Sequence, residues 1–272
     1  MLAEQPTALQ AVLQRSAARL DELRASLYWL TAVRAAVPRK RTLPEREPPR
    51  AADGTWLQVR LGRDAAQSSR GLRAAVSAQL EALFDCELHA DLDERDLLLR
   101  GSPGRAPWRL PLADLGEGIT QVLPVITLCC LAERGDLGAE PVLCIEQPEM
   151  HLHGDAERDL ARFLCRVAQS PSQPRLVLET HSELLLSAVL LEIAEGRLTP
   201  DQLALHWLSR ESPLAESQIQ HVAVDARGTP SGWPAGAFGE RAELARALFQ
   251  ARRRSKCSRF LLRRARQIGL RS

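Results

Sequence analysis

Two short apolar runs, each ending in acidic and polar residues, constrain the fold of this chain most strongly. The first run, residues 142–145, is followed by Glu146, and the second, residues 176–178, is followed by Glu-Thr-His-Ser. Apolar runs of this length are typical of buried strands in a parallel sheet. Because open α/β sheets bind ligands at the carboxyl ends of their strands, we expect Glu146 and His181 to face one site.

The spacing of apolar residues around these runs predicts an α/β fold. Helical spacing follows each run, over residues 154–167 and 182–195, so the centre of the chain reads strand–helix–strand–helix. This order implies a right-handed βαβ unit and a parallel sheet flanked by helices. The other predicted elements are helices over 7–36, 72–88 and 117–133, a loop over 38–52, short strands over 97–99, 108–112, 203–208 and 219–224, and a last helix that begins over 242–249.

Five blocks of sequence carry a resemblance to a known family. Ile-Glu-Gln-Pro-Glu-Met-His-Leu-His at 145–153 resembles the Walker B and D-loop region of ABC-like ATPases of the RecF, SMC and OLD kind, and Glu-Thr-His-Ser at 179–182 is similar to their switch-histidine strand. Asp-Leu-Gly-Glu-Gly-Ile-Thr-Gln-Val-Leu-Pro at 114–124 resembles the signature segment of a bacterial AAA-type branch. Tyr-Trp-Leu-Thr-Ala-Val-Arg at 28–34 resembles the start of that branch's second lobe, and Trp-Pro-Ala-Gly-Ala-Phe at 233–238 an element of its uncharacterised C-terminal domain.

The resemblance implies the C-terminal lobe of an ABC-like P-loop ATPase head, with roles for four residues. Glu146 takes the position of the carboxylate that binds Mg²⁺, where Asp is usual. Gln147 takes the position of the general base; an amide cannot accept the proton, although it can orient a water. Glu149 is the candidate substitute base, and His181 corresponds to the histidine that senses the γ-phosphate.

A second set of residues corresponds to the signature segment, which in the family closes on nucleotide held by the opposite subunit. Backbone N–H groups and the dipole at the start of a helix suit a phosphate. The candidate nucleotide-binding residues are Gly116, Gly118, Thr120 and Gln121.

The P-loop pattern, Gly-x-x-x-x-Gly-Lys-Ser/Thr, is absent from the sequence. The only lysines are Lys40 and Lys256, and neither follows a glycine. The resemblance therefore implies ATP and Mg²⁺ as cofactors, and a P-loop-containing lobe or homologous subunit as partner. We expect ATP hydrolysis only when such a lobe completes the site, in a split ATPase or one whose P-loop lies upstream of a truncated reading frame. DNA maintenance or defence against phage is the role that the resemblance implies.

The charge of the chain is unevenly distributed. Residues 252–272 hold nine basic residues and no acidic ones, which leaves 27 basic and 34 acidic residues elsewhere. This basic tail predicts salt-dependent contact with nucleic-acid phosphates. A solvated end, or a basic face for an acidic partner, stays open as an alternative.

Cysteine spacing and hydropathy exclude other classes. The six cysteines include no Cys-x-x-Cys pair, which argues against a zinc ribbon and favours buried thiols in a reducing cytoplasm. No apolar run approaches the ~20 residues that span a membrane, and the first residues lack the pattern of a signal peptide. The sequence therefore predicts a cytoplasmic protein without membrane contact.

Three regions are expected: an N-terminal amphipathic helix and Pro-rich loop over 1–50, the ATPase lobe over 51–225, and a family-specific element with the basic tail over 226–272. Two alternatives to an ATPase lobe stay open. One is a non-catalytic scaffold or regulatory subunit derived from such an ATPase. The other is a metallohydrolase that binds zinc through His151, His153 and His181, because His-x-His spacing can place two ligands on one face.

Overall fold

A computed structural model describes residues 8–38, 44–66, 71–91, 96–101, 108–210, 212 and 214–233. The chain divides into two compact units, residues 1–192 and 193–272. The sequence-based division set boundaries after residues 50 and 225, and the structure sets one boundary after residue 192. The predicted last helix, the basic tail and all but the first residue of the 233–238 element lie outside the described residues.

The described α-helices and β-strands have the following order along the chain. They are α1 (Ala8–Ser26), β1 (Leu27–Leu30), α2 (Thr55–Ala66), α3 (Gly71–Phe84), β2 (Cys86–Asp91), β3 (Asp96–Gly101), β4 (Arg109–Pro111), α4 (Glu117–Glu133), β5 (Val142–Glu146), α5 (Gly154–Ala168), β6 (Arg175–Glu179), α6 (Glu183–Ala194), β7 (Leu205–Ser209), β8 (Gln218–Val224) and β9 (Pro230–Ser231). None of these described helices is long and apolar enough to cross a membrane.

A three-stranded parallel sheet organises the first unit. Its strand order is β1-β5-β6, and β5 is parallel to both neighbours. One face is formed by the register rows Tyr28–Leu143–Leu176 and Leu30–Ile145–Leu178, and it packs into the hydrophobic core. The predicted α/β fold, with a parallel sheet flanked by helices, is confirmed.

The predicted helix over 7–36 is wrong beyond residue 26. The chain leaves α1 at Ser26, and β1 follows at once. Leucine spacing continues into β1 and mimics a helix, but Tyr28 and Leu30 are buried only because the segment pairs with β5 in an extended form. Aromatic residues on a half-buried pleated surface favour a strand, so tertiary pairing overrides the local pattern. The helix predicted over 72–88 likewise ends at Phe84, and β2 occupies its last part.

Helix α4 is the centre of the core, since every residue from 122 to 132 is buried. A helix that is apolar on all sides belongs in an interior. The amphipathic helix α5 contributes its buried side through Leu160, Phe163 and Leu164. Helix α2, which the sequence analysis did not predict, adds Trp56, Leu57 and Leu61. Asp53 caps α2 by accepting hydrogen bonds from the backbone N–H and the hydroxyl of Thr55.

Two antiparallel sheets complete the fold. In the first unit β2, β3 and β4 form a meander, and Ser77 of α3 accepts a hydrogen bond from the backbone N–H of Leu88 at 2.9 Å. In the second unit β7, β8 and β9 form another meander, in which the rings of Trp207 and Trp233 lie 5.9 Å apart. The strands predicted over 203–208 and 219–224 correspond to β7 and β8.

Candidate functional site

The polar residues after β5 and β6 lie at one edge of the parallel sheet. Glu146 and Glu179 are register partners at the ends of the two strands. The backbone N–H of Gln147 donates to the carbonyl of Glu179 at 2.8 Å, and Gln147 adopts a φ of 41°. The chain therefore leaves β5 through a left-handed residue that is fastened to the end of β6, a conformation that most side chains disfavour.

The carboxylate of Glu146 is held by the segment that follows β1. Its Oε1 accepts a hydrogen bond from Trp29 Nε1 at 3.0 Å, and its Oε2 accepts one from the backbone N–H of Ala32 at 3.1 Å. A carboxylate oxygen has more than one acceptor site, so both oxygens keep capacity for a cation. The hard oxygen donors of Glu146 fit the preference of Mg²⁺.

Arg34 is the buried centre of this region. Its guanidinium donates to the carbonyls of Glu146 at 2.6 Å, Gln147 at 3.3 Å and Gln121 at 3.2 Å. Burial lowers the pKa of Arg34 from its usual value to about 10, while the negative charges of Glu149 and Glu146 oppose that shift. Arg34 stays charged near neutral pH and fixes the turn that contains Gln147.

The side chain of Gln121 is committed to Arg34. Gln121 Oε1 accepts from the backbone N–H of Arg34 at 2.9 Å, and Gln121 Nε2 donates to the Arg34 carbonyl at 3.1 Å. These bonds tie α4 to the segment after β1. Gln121 was expected to bind nucleotide, and no role at the site was expected for Arg34. No local pattern gives this role of Arg34, because it depends on residues 27–30 pairing with β5 as a strand.

Glu149 joins the loop after β5 to the end of β6. It is buried, and its Oε1 accepts a 2.6 Å hydrogen bond from the hydroxyl of Thr180. That hydroxyl oxygen in turn accepts from the backbone N–H of Ser182 at 2.9 Å. Glu149 Oε2 is buried without a hydrogen-bond partner among the described residues. Such an acceptor is costly to leave unsatisfied, so it suits a water, a proton or a cation.

Gly118 brings the start of α4 against the loop after β5. A Cβ at this position would lie 2.8 Å from the carbonyl oxygen of His151, which a side chain cannot tolerate. His151 has a φ of 65°, and its Nε2 lies 3.5 Å from Glu117 Oε2. The predicted signature and D-loop segments are therefore in contact. Gly116 has nothing within 4 Å of such a Cβ, and the Thr120 hydroxyl bonds within its own helix, to the carbonyl of Glu117 at 3.2 Å.

The three histidines of the metallohydrolase alternative do not form a metal cluster. The His181 side chain is 79% exposed, and its Nε2 lies 3.9 Å from Glu179 Oε1. His151 lies beside Glu117, and His153 is exposed at the start of α5. Within the described part of the chain, no group of three or more His, Cys, Asp or Glu residues could hold a metal ion. Ser182 caps α6 by accepting a hydrogen bond from the N–H of Leu185 at 3.0 Å.

The second face of the parallel sheet ends at Glu146 and Glu179. We call this surface the open face; its register rows are Leu27–Val142–Arg175 and Trp29–Cys144–Val177. Leu27, Trp29 and Val177 are 42–56% exposed, so the described residues leave this apolar face largely uncovered. Parallel sheets ordinarily have both faces covered. The site therefore lies at the end of an apolar surface that the described residues leave without a second layer.

Comparison with protein families gives one match. The family described as "AAA domain, putative AbiEii toxin, Type IV TA system" matches residues 87–187. This stretch contains Gly118, Glu146 and His181. No curated protein matches the chain significantly.

Solved structures of SMC ATPase heads are similar at low identity. One, from work on ATP-driven dimerization and DNA-stimulated activation of SMC ATPases, has 8% identity and a TM-score of 0.44, over 68% of this chain and 97% of that chain. The SMC head domain from Thermotoga maritima has 14% identity and a TM-score of 0.39, over 61% of this chain and 52% of that chain. The Smc head domain with an extended coiled coil from Pyrococcus furiosus has 7% identity and a TM-score of 0.39, over 57% of this chain and 36% of that chain. Similarity at this level carries no information on activity.

The family match covers three of the five blocks from which the resemblance was drawn, those at 114–124, 145–153 and 179–182. The resemblance expected from the sequence is therefore confirmed for this stretch: residues 87–187 match the model of an AAA-domain family.

Proposed function

We propose that this chain supplies the Walker B, signature and switch elements of an ATP-binding and ATP-hydrolysing site that a P-loop-bearing partner completes. The observation that carries the proposal is the open face. Its apolar rows lead directly to Glu146 and Glu179, so an element that covers the face also reaches the candidate site.

Burial of the open face would contribute favourable free energy to binding of the partner. Fully burying a large apolar side chain contributes roughly 1.5–3 kcal/mol. Leu27, Trp29 and Val177 are already about half covered, so each contributes about 1 kcal/mol. This sum alone does not offset the ~4–15 kcal/mol that association costs, so we expect nucleotide held between the two chains to add to their affinity.

Each candidate residue has a position consistent with its proposed role. Glu146 would hold Mg²⁺, which supplies positive charge to the phosphates when it is bound. Trp29 and the N–H of Ala32 keep the Glu146 carboxylate in place. Glu149 is fixed by Thr180 and would accept a proton, with Gln147 orienting the attacking water.

The remaining residues would act on the phosphates. The exposed His181 ring is free to turn toward a γ-phosphate brought by the partner. The start of α4, at Gly116, Gly118 and Thr120, would face the nucleotide held by that P-loop. Its backbone N–H groups and helix dipole favour an anion, and the contact of Gly118 with the loop after β5 fixes its position. Gln121 would act indirectly, through Arg34.

A regulatory subunit without hydrolytic activity is the second candidate. One observation favours it: an amide, that of Gln147, stands at the position of the general base. The family's description, which names AbiEii and a type IV toxin–antitoxin system, supports a role in defence for either candidate. A cytoplasmic location and DNA maintenance are proposals that rest on the resemblance.

The open face can be tested by substitution. We expect the chain to co-purify with a P-loop protein encoded beside it, and Val177→Asp to abolish this association without unfolding the chain. Ile219→Asp is the matched control, because Ile219 is also a β-branched, exposed strand residue, at 70% exposure. Equal association of Val177→Asp and the parent would exclude the open face as the contact.

Activity of the purified pair separates the two candidates. Phosphate release that falls with Glu146→Gln and with His181→Ala supports the ATPase. Nucleotide binding without phosphate release, in both parent and variants, supports the regulatory subunit.

A further inference from the structure

Helix α1 carries exposed leucines at the spacing of a coiled coil. Leu13, Leu20 and Leu23 are 56–66% exposed. In the seven-residue repeat of a coiled coil, lettered a to g, Leu13 and Leu20 occupy position a and Leu23 occupies position d. Ser16 occupies the d position between Leu13 and Leu20. We call Leu13, Leu20 and Leu23 the leucine stripe. Apolar residues that recur every 3.5 positions are the pattern of helices that pair side by side.

Among the residues that the structure describes, the second half of α1 packs against little of the chain. Every residue from 15 to 25 is exposed. In its last turn, the carbonyl of Ala25 accepts a 2.7 Å hydrogen bond from the guanidinium of Arg50. Most helix stability in proteins comes from packing an apolar stripe against other elements. A stripe of leucines on such a helix indicates that a second helix covers it.

The charges beside the stripe decide what kind of helix fits. Arg19 lies at position g and Arg24 at position e, and no acidic residue occupies an e or g position of α1. In a parallel pair, position g of one helix faces position e of the other, five residues further on. A second copy of this chain would therefore place Arg19 opposite Arg24 on both sides. Like charges at these positions disfavour the pairing.

We propose that α1 forms a two-stranded coiled coil with a helix of a different protein, which has apolar residues at a and d and acidic residues at e and g. This interaction surface shares no residue with the open face and does not require nucleotide. It would give the chain a second attachment, specific in charge, beside its candidate ATPase site.

The test uses the full chain and two labelled synthetic peptides of about three heptads. Both peptides have leucine at a and d; one has Glu at every e and g position, and the other has Lys. In fluorescence anisotropy at low ionic strength, we expect the Glu peptide to bind about tenfold more tightly than the Lys peptide, and the difference to shrink in high salt. Leu20→Ala with Leu23→Ala should weaken binding of the Glu peptide about tenfold.

Charge reversal is the decisive arm. Arg19→Glu with Arg24→Glu should invert the preference between the peptides, whereas Asp21→Lys, at the outer position b, should leave it unchanged. Equal binding of the two peptides, no binding of either, or a stripe-dependent dimer of the chain in sedimentation would each overturn the proposal. None of these outcomes bears on nucleotide binding, so the proposed function is tested separately.

Discussion

Replacement of Arg34 by Met should destabilise the first unit more than any surface substitution. Arg34 is buried, and its guanidinium donates to three backbone carbonyls, of Gln121, Glu146 and Gln147. Met preserves much of the side-chain volume, so the change isolates the loss of the charge and the hydrogen bonds. The carbonyl of Gln147 belongs to a left-handed residue, so Arg34 also holds a conformation that is unfavourable by itself.

The expected cost follows from these hydrogen bonds. A hydrogen bond to a charged group contributes about 1.5–3 kcal/mol, and removing one partner of a buried charged set costs about 3–5 kcal/mol. We therefore expect Arg34→Met to lower the free energy of unfolding by about 4 kcal/mol, a large part of the ~5–15 kcal/mol of a typical domain. The free energy of unfolding of Arg34→Lys should lie between those of the parent and Arg34→Met, because an ammonium keeps the charge but cannot span several carbonyls.

The assay is urea denaturation of the purified chain, followed by circular dichroism. Arg175→Met is the matched control, since Arg175 is exposed and its one described ion pair, with Glu140 at 3.0 Å, lies on the surface. An exposed pair of this kind contributes about 0–1 kcal/mol. The unfolding midpoint of Arg34→Met should shift strongly, and that of the control should barely change.

A double-mutant cycle with Glu149 measures the electrostatic part of the contribution that Arg34 makes to the free energy of unfolding. Glu149 attracts Arg34, and Glu149 Oε2 is buried without a described hydrogen-bond partner. Once Arg34 is gone, Glu149→Gln removes a buried charge that nothing balances, so the double variant should lose about 1 kcal/mol less than the sum of the two singles. A cost below about 1 kcal/mol for Arg34→Met, or full additivity with Glu149→Gln, would refute this reasoning.

Four further predictions test other parts of the chain. Without a P-loop the isolated chain should bind Mg-ATP weakly or not at all in calorimetry, and a low-micromolar dissociation constant would contradict the proposed division of the site. Gly118→Ala should lower the melting temperature, because its Cβ meets the His151 carbonyl at 2.8 Å, whereas Gly116→Ala has open space and should not. Burial raises the pKa of the Cys130 thiol to about 12, and raises that of Cys144 less, so at pH 8 peptide mapping should show iodoacetamide modifying Cys144 before Cys130 in the folded protein; faster modification of Cys130 would speak against its burial. Deletion of residues 252–272 should remove most DNA binding and flatten its salt dependence, by roughly 0.9 in slope for each phosphate that the tail no longer neutralises; an unchanged slope would place the nucleic-acid interface elsewhere.

The sequence by itself determined the strands that lead into the site and the helix that follows β6. The apolar runs before Glu146 and Glu179 become parallel neighbours, as expected from their length and their polar ends. Ser182 caps the next helix because a hydroxyl at that position can accept from an N–H three residues later. The family resemblance also depended on sequence alone, since its blocks are local and keep their order.

Only the tertiary structure decided the state of residues 27–30. Their leucine spacing suits a helix, and pairing with β5, more than a hundred residues later, makes them a strand. The hydrogen bonds of Glu146 with Trp29 and Ala32 follow from that pairing, and so does the placement of Arg34 beneath the turn at Gln147. The open face is likewise a property of the assembled sheet. Leu27, Trp29 and Val177 lie on the same face only because the strands pair in this register. Local patterns record the preference of a segment for its own conformation, whereas these features depend on which distant segment lies beside it, and that choice is made by the burial of the whole core.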